Sequence, residues 1–433
     1  MTHPKESPAE EGKPKTDRKS RIRDFFTAFG PGVITGAADD DPSGIATYSI
    51  AGARFGTSLL WTALLTWPLM AAVQMTCARI GMVTGRGLIS VWRKKFPQPV
   101  LILVAVALLA ANTFNIAADL AGMADAAEML TGLDSHIFVV LFGVAIAAAT
   151  IWLPYHRIAA ILKWLALALG AYVAAALLLR PNWGSVLRDA FVPSLPKGKE
   201  GWQTLVAILG TTISPYLFFW QASQEVEEEK ALGRRMLMKR LGATRKELID
   251  RDIDVGVGTG SAILVMFFVM LTTALTLNLH GMIRIENSRQ AAEALQPLAG
   301  DFAAALYTLG LFGVGFLAIP TLSGSAAYAF AETFAWREGL DQKPRKARGF
   351  YSVVIFSTVL GILFDFLLTN PYRALFWSAV LNGLLSPFLL VGILIVASDK
   401  TIMQQQPSSR LARFAVGLAA LLMFAAAVGM FVL

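Results

Sequence analysis

The chain has 433 residues, 55% hydrophobic and 16% charged, with a mean hydropathy of +0.56. With Gly counted and Tyr left out, about 61% are apolar against roughly 45–50% in soluble domains, more than a water-soluble fold can cover. The net charge of +8 comes from Lys and Arg set between apolar runs, which suits anionic lipid headgroups rather than nucleic acid. The single cysteine, Cys77, lies inside such a run and excludes a disulfide scaffold or a cysteine metal cluster.

Residues 1–23 carry seven Lys or Arg and almost no apolar side chain before Ile22, and read as a disordered cytoplasmic tail. Residues 24–433 read as one transmembrane domain. Eleven apolar segments of spanning length follow one another at about 25–53, 57–80, 99–123, 137–154, 158–180, 203–223, 256–279, 301–330, 351–369, 373–398 and 411–433. The narrowest division is Pro154 to Arg157, between the fourth and fifth. Of the 38 Lys and Arg, 30 fall in the tail and every second connection, which predicts a cytoplasmic N-terminus and an external C-terminus. The expected location is the bacterial inner (plasma) membrane.

Segment one is interrupted by Asp39-Asp40-Asp41-Pro42-Ser43-Gly44. A charge at mid-membrane costs about 2.5–3.5 kcal/mol on insertion scales and demands a partner, for which a cation is the obvious candidate. Pro42 removes a backbone donor and disfavours helix at Asp41, so the helix should unwind there and free carbonyl oxygens beside the carboxylates. Such oxygens suit a hard cation. Segment six repeats the device without charge, with Thr211, Thr212 and Ser214 before Pro215. Breaks one and six occupy matching places in two five-helix halves, about 25–180 and 203–398, with an additional helix at about 411–433. That pattern predicts an all-α, LeuT-like inverted-repeat transporter with its substrate at mid-membrane between the breaks.

Several stretches carry a family resemblance. Gly30-Pro31-Gly32, Asp41-Pro42-Ser43-Gly44 with Ala46-Thr47, the run Gln74 to Gly85, and Ala118-Asp119-Leu120-Ala121 resemble the natural resistance-associated macrophage protein (NRAMP) family of divalent metal transporters. The resemblance extends over roughly 28–400 and implies a LeuT-like fold importing Mn²⁺ or Fe²⁺ with protons. The family's first break is typically Asp-Pro-Gly-Asn, and here Gly44 stands where the Asn would be. Its sixth-segment Met-Pro-His, with a second His five residues on, aligns with Ser214, Pro215, Tyr216 and Gln221. Its third-segment Asp-Leu-Ala-Glu retains Asp119 and has Gly122 for the Glu.

Without the Met sulfur, an oxygen-only site loses its preference for transition metals over Mg²⁺, an ion that keeps several waters and takes one or two carboxylates. These departures resemble the NRAMP-related magnesium transporters. The resemblance makes Asp41 the leading ligand, with the carbonyls of Ala38 and Thr211 beside it. Ser214 either contacts the metal through water or only relieves crowding, and Gly44 leaves room for a hydration shell. Asp40 and Asp39 either steer cations or cap the half-helix; Asn382 either completes the shell or bonds a neighbouring helix. The four histidines, His3, His136, His156 and His280, lie in the tail or at span ends, so a proton relay is not expected. The cargo is therefore Mg²⁺ and Mn²⁺, uncoupled from protons, with no cofactor; the alternative is a proton-coupled Mn²⁺/Fe²⁺ importer sustained by Asp119. No enzyme site appears, no nucleic-acid partner is expected beside the bilayer, and a monomer is the expected state.

Two further features have dull readings. Gln221 and Glu225, a turn apart, line an acidic inner exit with Glu227 to Glu229, or the stretch is a solvated helix end, which is the reading favoured for the Glu run. Gly256-Val257-Gly258-Thr259-Gly260 opens an apolar span instead of following a strand, which points to close helix packing rather than a nucleotide loop.

Overall fold

A computed structural model describes residues 30–153, 167–196, 198–340, 342–367 and 370–432, and every regular element among them is a helix. Segment one forms α1 (Pro31–Asp39) and α2 (Pro42–Phe55). Then come α3 (Trp61–Thr84), α4 (Leu88–Trp92), α5 (Gln98–Thr131), α6 (Ser135–Trp152), α7 (Gly170–Leu178) and α8 (Trp183–Phe191). Segment six is the second broken pair, α9 (Gly198–Thr212) and α10 (Pro215–Ala231). After it run α11 (Arg245–Thr276), the short α12 (Ser288–Ala292) and α13 (Gln296–Ala299), α14 (Ala303–Phe334), α15 (Arg348–Asp365), α16 (Pro371–Ser398) and α17 (Arg410–Val432).

Among the described residues, nine helical stretches are long and apolar enough to cross a membrane, and the broken α1–α2 pair is the expected first span. The expected fifth span is described from 167 onward. Its beginning at 158, the Pro154 to Arg157 division, the 1–23 tail and 24–29 lie outside the described residues. Apolar side chains of α6 (Ile137, Val140, Leu141, Val144) and α15 (Ile355, Phe356, Val359, Leu363) stand exposed on the surface, where lipid suits them.

Three helices outrun the hydropathy signal. α5 continues to Thr131, α10 continues to Ala231, and α11 begins at Arg245 rather than near 256. The reason in α11 is a capping box, in which Thr244 and Glu247 satisfy each other's backbone amides and start the helix in a charged turn. The Glu225 to Glu229 stretch is correspondingly not a solvated end throughout: Glu225 and Glu229 are buried.

Both halves of the first broken pair lie on α11 through glycines. A Cβ on Gly36 would stand 2.3 Å from the Gly258 backbone, one on Gly258 2.3 Å from the Gly32 oxygen, and one on Gly52 2.2 Å from the Met270 oxygen. Gly258 is thus the contact glycine of its motif, in keeping with helix packing; Gly256 has only the Met75 methyl, at 3.6 Å, near it. The second broken pair is held likewise, Gly210 of α9 against Ala379 and Gly383 of α16, and Gly81 of α3 against Ala222 of α10.

The backbone contacts predict a contrast between two glycines of one motif. Gly258→Ala should destabilise by about 1–3 kcal/mol through overpacking, whereas Gly256→Ala should be neutral or slightly stabilising. Thermal unfolding of the purified protein in detergent reads both, and equal shifts would contradict the packing described.

Candidate metal site

The two breaks meet. α1 ends at Asp39, Asp40 follows as its C-cap, and Asp41 caps α2 with Pro42 at the first helical position. Asp41 Oδ1 accepts the Gly44 amide and the Ser43 hydroxyl, both at 2.7 Å. Asp41 Oδ2 accepts Asn115 Nδ2 of α5 at 2.9 Å. A Cβ on Gly44 would stand 3.0 Å from Thr211 Oγ1 at the end of α9, 3.4 Å from Asp41 Oδ1 and 3.5 Å from the Tyr48 ring. The open space expected at Gly44 is therefore filled by its neighbours.

The freed carbonyls are taken up internally. Tyr216, at the start of α10, donates its hydroxyl to Ala38 O at 2.9 Å, so the aromatic side chain at the aligned His position bridges the two breaks. Ser214 Oγ turns back on its own helix, 2.6 Å from Thr211 O and 3.1 Å from Gly210 O. Ser386 of α16 donates to Ile213 O at 2.7 Å. The carbonyls of Ala38 and Thr211 lie at the ends of α1 and α9, each accepting one hydrogen bond and retaining a second lone pair.

What stays unpaired is side-chain oxygen. Asp39, Asp40 and Asp41 are 1%, 5% and 1% exposed and Asp119 is 0% exposed. Both oxygens of Asp39, one of Asp40, the Thr211 hydroxyl and both amide atoms of Asn382 have no hydrogen-bond partner. Asp41 caps α2 through its carboxylate, Asp40 holds the C-cap position of α1, and the Asp39 carboxylate caps neither half-helix. Asn382 bonds no neighbouring helix, although its turn of α16 packs on α9. The Asp119 carboxylate faces the Ser43 amide without completing a hydrogen bond, and Asp39, Asp41 and Asp119 all lie within electrostatic reach of Tyr216. Among the described residues no three His, Cys, Asp or Glu side chains converge on a point that could hold a metal. Asn115 and Tyr216 are the site residues that the sequence reading misses. A polar Asn in mid-span one turn before Asp119 is the signal that could have revealed the first.

The site is closed on the side of the Lys/Arg-rich connections. Gln221 donates to Glu225 at 2.6 Å, and Glu225 pairs with Arg251 at 2.9 Å. Arg251 also holds Glu228 and, at 2.6 Å, Asp254. The Asp254 carboxylate accepts the amides of Gly30, Gly32 and Val33 at the start of α1, at 3.0, 2.8 and 3.3 Å. One arginine thus ties α10, α11 and the start of α1 together, and the expected acidic exit is occupied by a built-in cation. On the opposite face a cavity of about 400 Å³ opens between α2, α9 and α16, lined by Arg54, Glu200, Arg284, Glu286, Tyr372 and Arg373.

A family model described as natural resistance-associated macrophage protein-like matches residues 32–433. The chain belongs to the NRAMP family. Among curated NRAMP relatives, the divalent metal cation transporter MntH of Caldanaerobacter subterraneus subsp. tengcongensis is 27% identical over 408 residues, 90% of this chain and 89% of that protein. MntH of Yersinia pestis is 28% identical over 322 residues, 71% and 74% of the two chains. Among solved structures, the Eremococcus coleocola manganese transporter with a bound aromatic bis-isothiourea compound superposes with a TM-score of 0.69 at 16% identity, covering 96% of this chain and 90% of that one. Mhp1, a nucleobase-cation-symport-1 family transporter in a closed conformation, superposes with a TM-score of 0.58 at 15% identity, covering 93% and 92%. At these identities the likeness is one of fold, and it shows the LeuT-like architecture.

The Arg251 network predicts a large single-mutant effect. Arg251→Ala should cost about 3–5 kcal/mol, because Glu225 is left buried and unpaired. Adding Glu225→Gln should recover much of the loss, and apparent melting temperatures of the three proteins measure this; no recovery would mean that Arg251 stabilises by packing alone.

Proposed function

We propose that this NRAMP protein carries Mg²⁺ and Mn²⁺ into the cell, largely hydrated, between the breaks of α1–α2 and α9–α10, without moving protons. The carrying observation is the donor set: Asp41, the carbonyls of Ala38 and Thr211, Ser214, Asn382 and Asp40 are all hard oxygens, with neither sulfur nor imidazole among them. Hard oxygen suits Mg²⁺ and Mn²⁺ and gives no preference for softer metals. The partnerless buried oxygens at Asp39, Asp40, Thr211 and Asn382 favour a cation that arrives with its own water. The printed names of the relatives, divalent metal cation transporter and manganese transporter, support the cation class. The departures at Gly44, Ser214, Tyr216 and Gly122 support the magnesium-transporting branch.

Uncoupling is supported by what faces α5. The buried positions of α15 from Val353 to Gly361 are Val353, Val354, Ser357, Thr358 and Gly361, none ionisable. Among the described histidines, His136 is bonded to Asp365 at a helix end and His280 to the Thr276 carbonyl. Between Tyr351 and Asp365, α15 buries no titratable side chain. An inward-negative potential of 100 mV is worth about 4.6 kcal/mol for a divalent ion and suffices as a driving force. The rival reading, a proton-coupled Mn²⁺/Fe²⁺ importer, draws its support from the same Asp119, held beside Asp41 with a partnerless carboxylate. The basic connections support a cytoplasmic N-terminus, an external C-terminus and an inner-membrane location.

Uptake into proteoliposomes under an inward-negative potential, with an internal pH dye, tests the reading. Mg²⁺ and Mn²⁺ should both enter with no acidification, and Asp41→Ala should abolish entry of both. Mn²⁺ entry alone, accompanied by acidification, would favour the coupled importer.

Selectivity has its own test in the double variant Gly44→Asn with Ser214→Met. Introducing an amide and a soft thioether should raise the Mn²⁺ over Mg²⁺ preference about tenfold or more, read from competition uptake. An unchanged ratio would move selectivity away from the two breaks.

A further inference from the structure

Asp41 Oδ1 is fully engaged by the start of α2, through the Gly44 amide and the Ser43 hydroxyl. Only Oδ2 is left to meet a cation, and the one side chain bonded to it comes from a different helix, Asn115 of α5. A carboxylate oxygen only accepts, so the Asn115 amide must present its nitrogen to Asp41 and its oxygen elsewhere. That oxygen is completely buried and has no partner. The two ends of an amide lie about 2.3 Å apart, which keeps Asn115 Oδ1 within about 5 Å of Asp41 Oδ2. A cation together with one of its waters reaches both oxygens around the amide nitrogen at ordinary metal–oxygen distances of about 2.1–2.6 Å.

The first break, meanwhile, has no amide side chain of its own, and none fits easily there. A Cβ at Gly44 would press on the Thr211 hydroxyl at 3.0 Å, with the Asp41 carboxylate and Tyr48 ring close behind. We infer that Asn115 is a ligand residue of the transport site, its amide oxygen reaching the cation or a cation-bound water while its amide nitrogen fixes the Asp41 carboxylate. The inference rests on Asp41 being the metal ligand. It also gives α5 a stake in substrate binding: a hard amide oxygen, supplied from the helix that faces the break, completes the oxygen shell. The competing role for Asn115 is purely structural, a strut between α5 and α2.

Initial rates of Mg²⁺ and Mn²⁺ uptake by the full-length protein in proteoliposomes separate the two. Asn115→Ala should raise KM for both ions about tenfold while Vmax stays within about twofold. Asn115→Asp, the same size and able to put a carboxylate oxygen where the amide oxygen was, should keep KM near or below the wild-type value. A lowered Vmax at unchanged KM in Asn115→Ala, or an Asn115→Asp protein with KM as high as that of Asn115→Ala, would overturn the ligand role. If Asn115→Ala does not fold, the Asn115→Asp measurement alone decides, because a pure strut is lost with the amide N–H whereas an oxygen ligand at this position is kept, the cation then holding the two carboxylates together in place of the N–H. Asp41→Ala is measured in parallel. Loss of uptake there with an unchanged KM in Asn115→Ala defeats the inference alone, whereas wild-type uptake in Asp41→Ala defeats the site and the inference together.

Discussion

A helix broken inside a membrane exposes amides and carbonyls where no water is at hand, and the surrounding structure must satisfy each of them. Around the two breaks this is done by four contacts. Asp41 takes the Gly44 amide at the start of α2, Tyr216 the Ala38 carbonyl, Ser214 the Thr211 carbonyl, and Ser386 the Ile213 carbonyl. The backbone at the breaks is thus largely self-sufficient. The unpaired atoms belong instead to side chains, Asp39, Asp40, Asp119, Asn115, Thr211 and Asn382. A stable fold has no use for so many partnerless oxygens in one region, and a hydrated cation is the partner that would use them together.

The same constraint explains how the halves are mounted. Close approach of α1 and α2 to α11 through Gly36, Gly52 and Gly258 places each half-helix against the α11 backbone, with the Thr273 hydroxyl also at Gly52. An element held that way has few interlocking side chains to disengage. The ties at its basic end, Asp254 and through it Arg251, then carry much of its attachment to α10 and α11. Arg251 also answers the electrostatic problem of Glu225 and Glu228, whose carboxylates would otherwise repel one another beneath a site already rich in acid. The charge that seals this side therefore matches in sign the cargo the site is built for.

Legibility in the sequence follows the range of each interaction. The breaks are legible because Pro42 and Pro215 act on the residues next to them, and the glycine motif at Gly258 because a phosphate loop demands a strand that is not there. The helix ends beyond the hydrocarbon are less so: the charged turns of α10 and α11 look like loop by hydropathy, and only the Thr244 to Glu247 capping pattern argues otherwise. The Glu225 to Glu229 stretch misleads for a related reason, since its partner Arg251 lies on another helix and burial depends on that pairing. Tyr216, Ser386 and Asn115 do their work across helices, and nothing in their local spacing announces a partner more than a hundred, or in one case seventy-four, positions away.

Substitution at one position reshapes the demand at others. Gly44 removes an amide from the first break, and Thr211 and Tyr48 close over the gap. Tyr216, where the family resemblance would place an imidazole, supplies a hydroxyl donor that holds Ala38 O in place. On the family resemblance, imidazole and thioether give way here to oxygen dipoles and carboxylates, a donor set suited to hard cations. Such a site discriminates mainly by charge and by how much of its hydration shell an ion keeps. The proposed passage of hydrated Mg²⁺ rests on this oxygen-only chemistry, because Mg²⁺ gives up its water reluctantly.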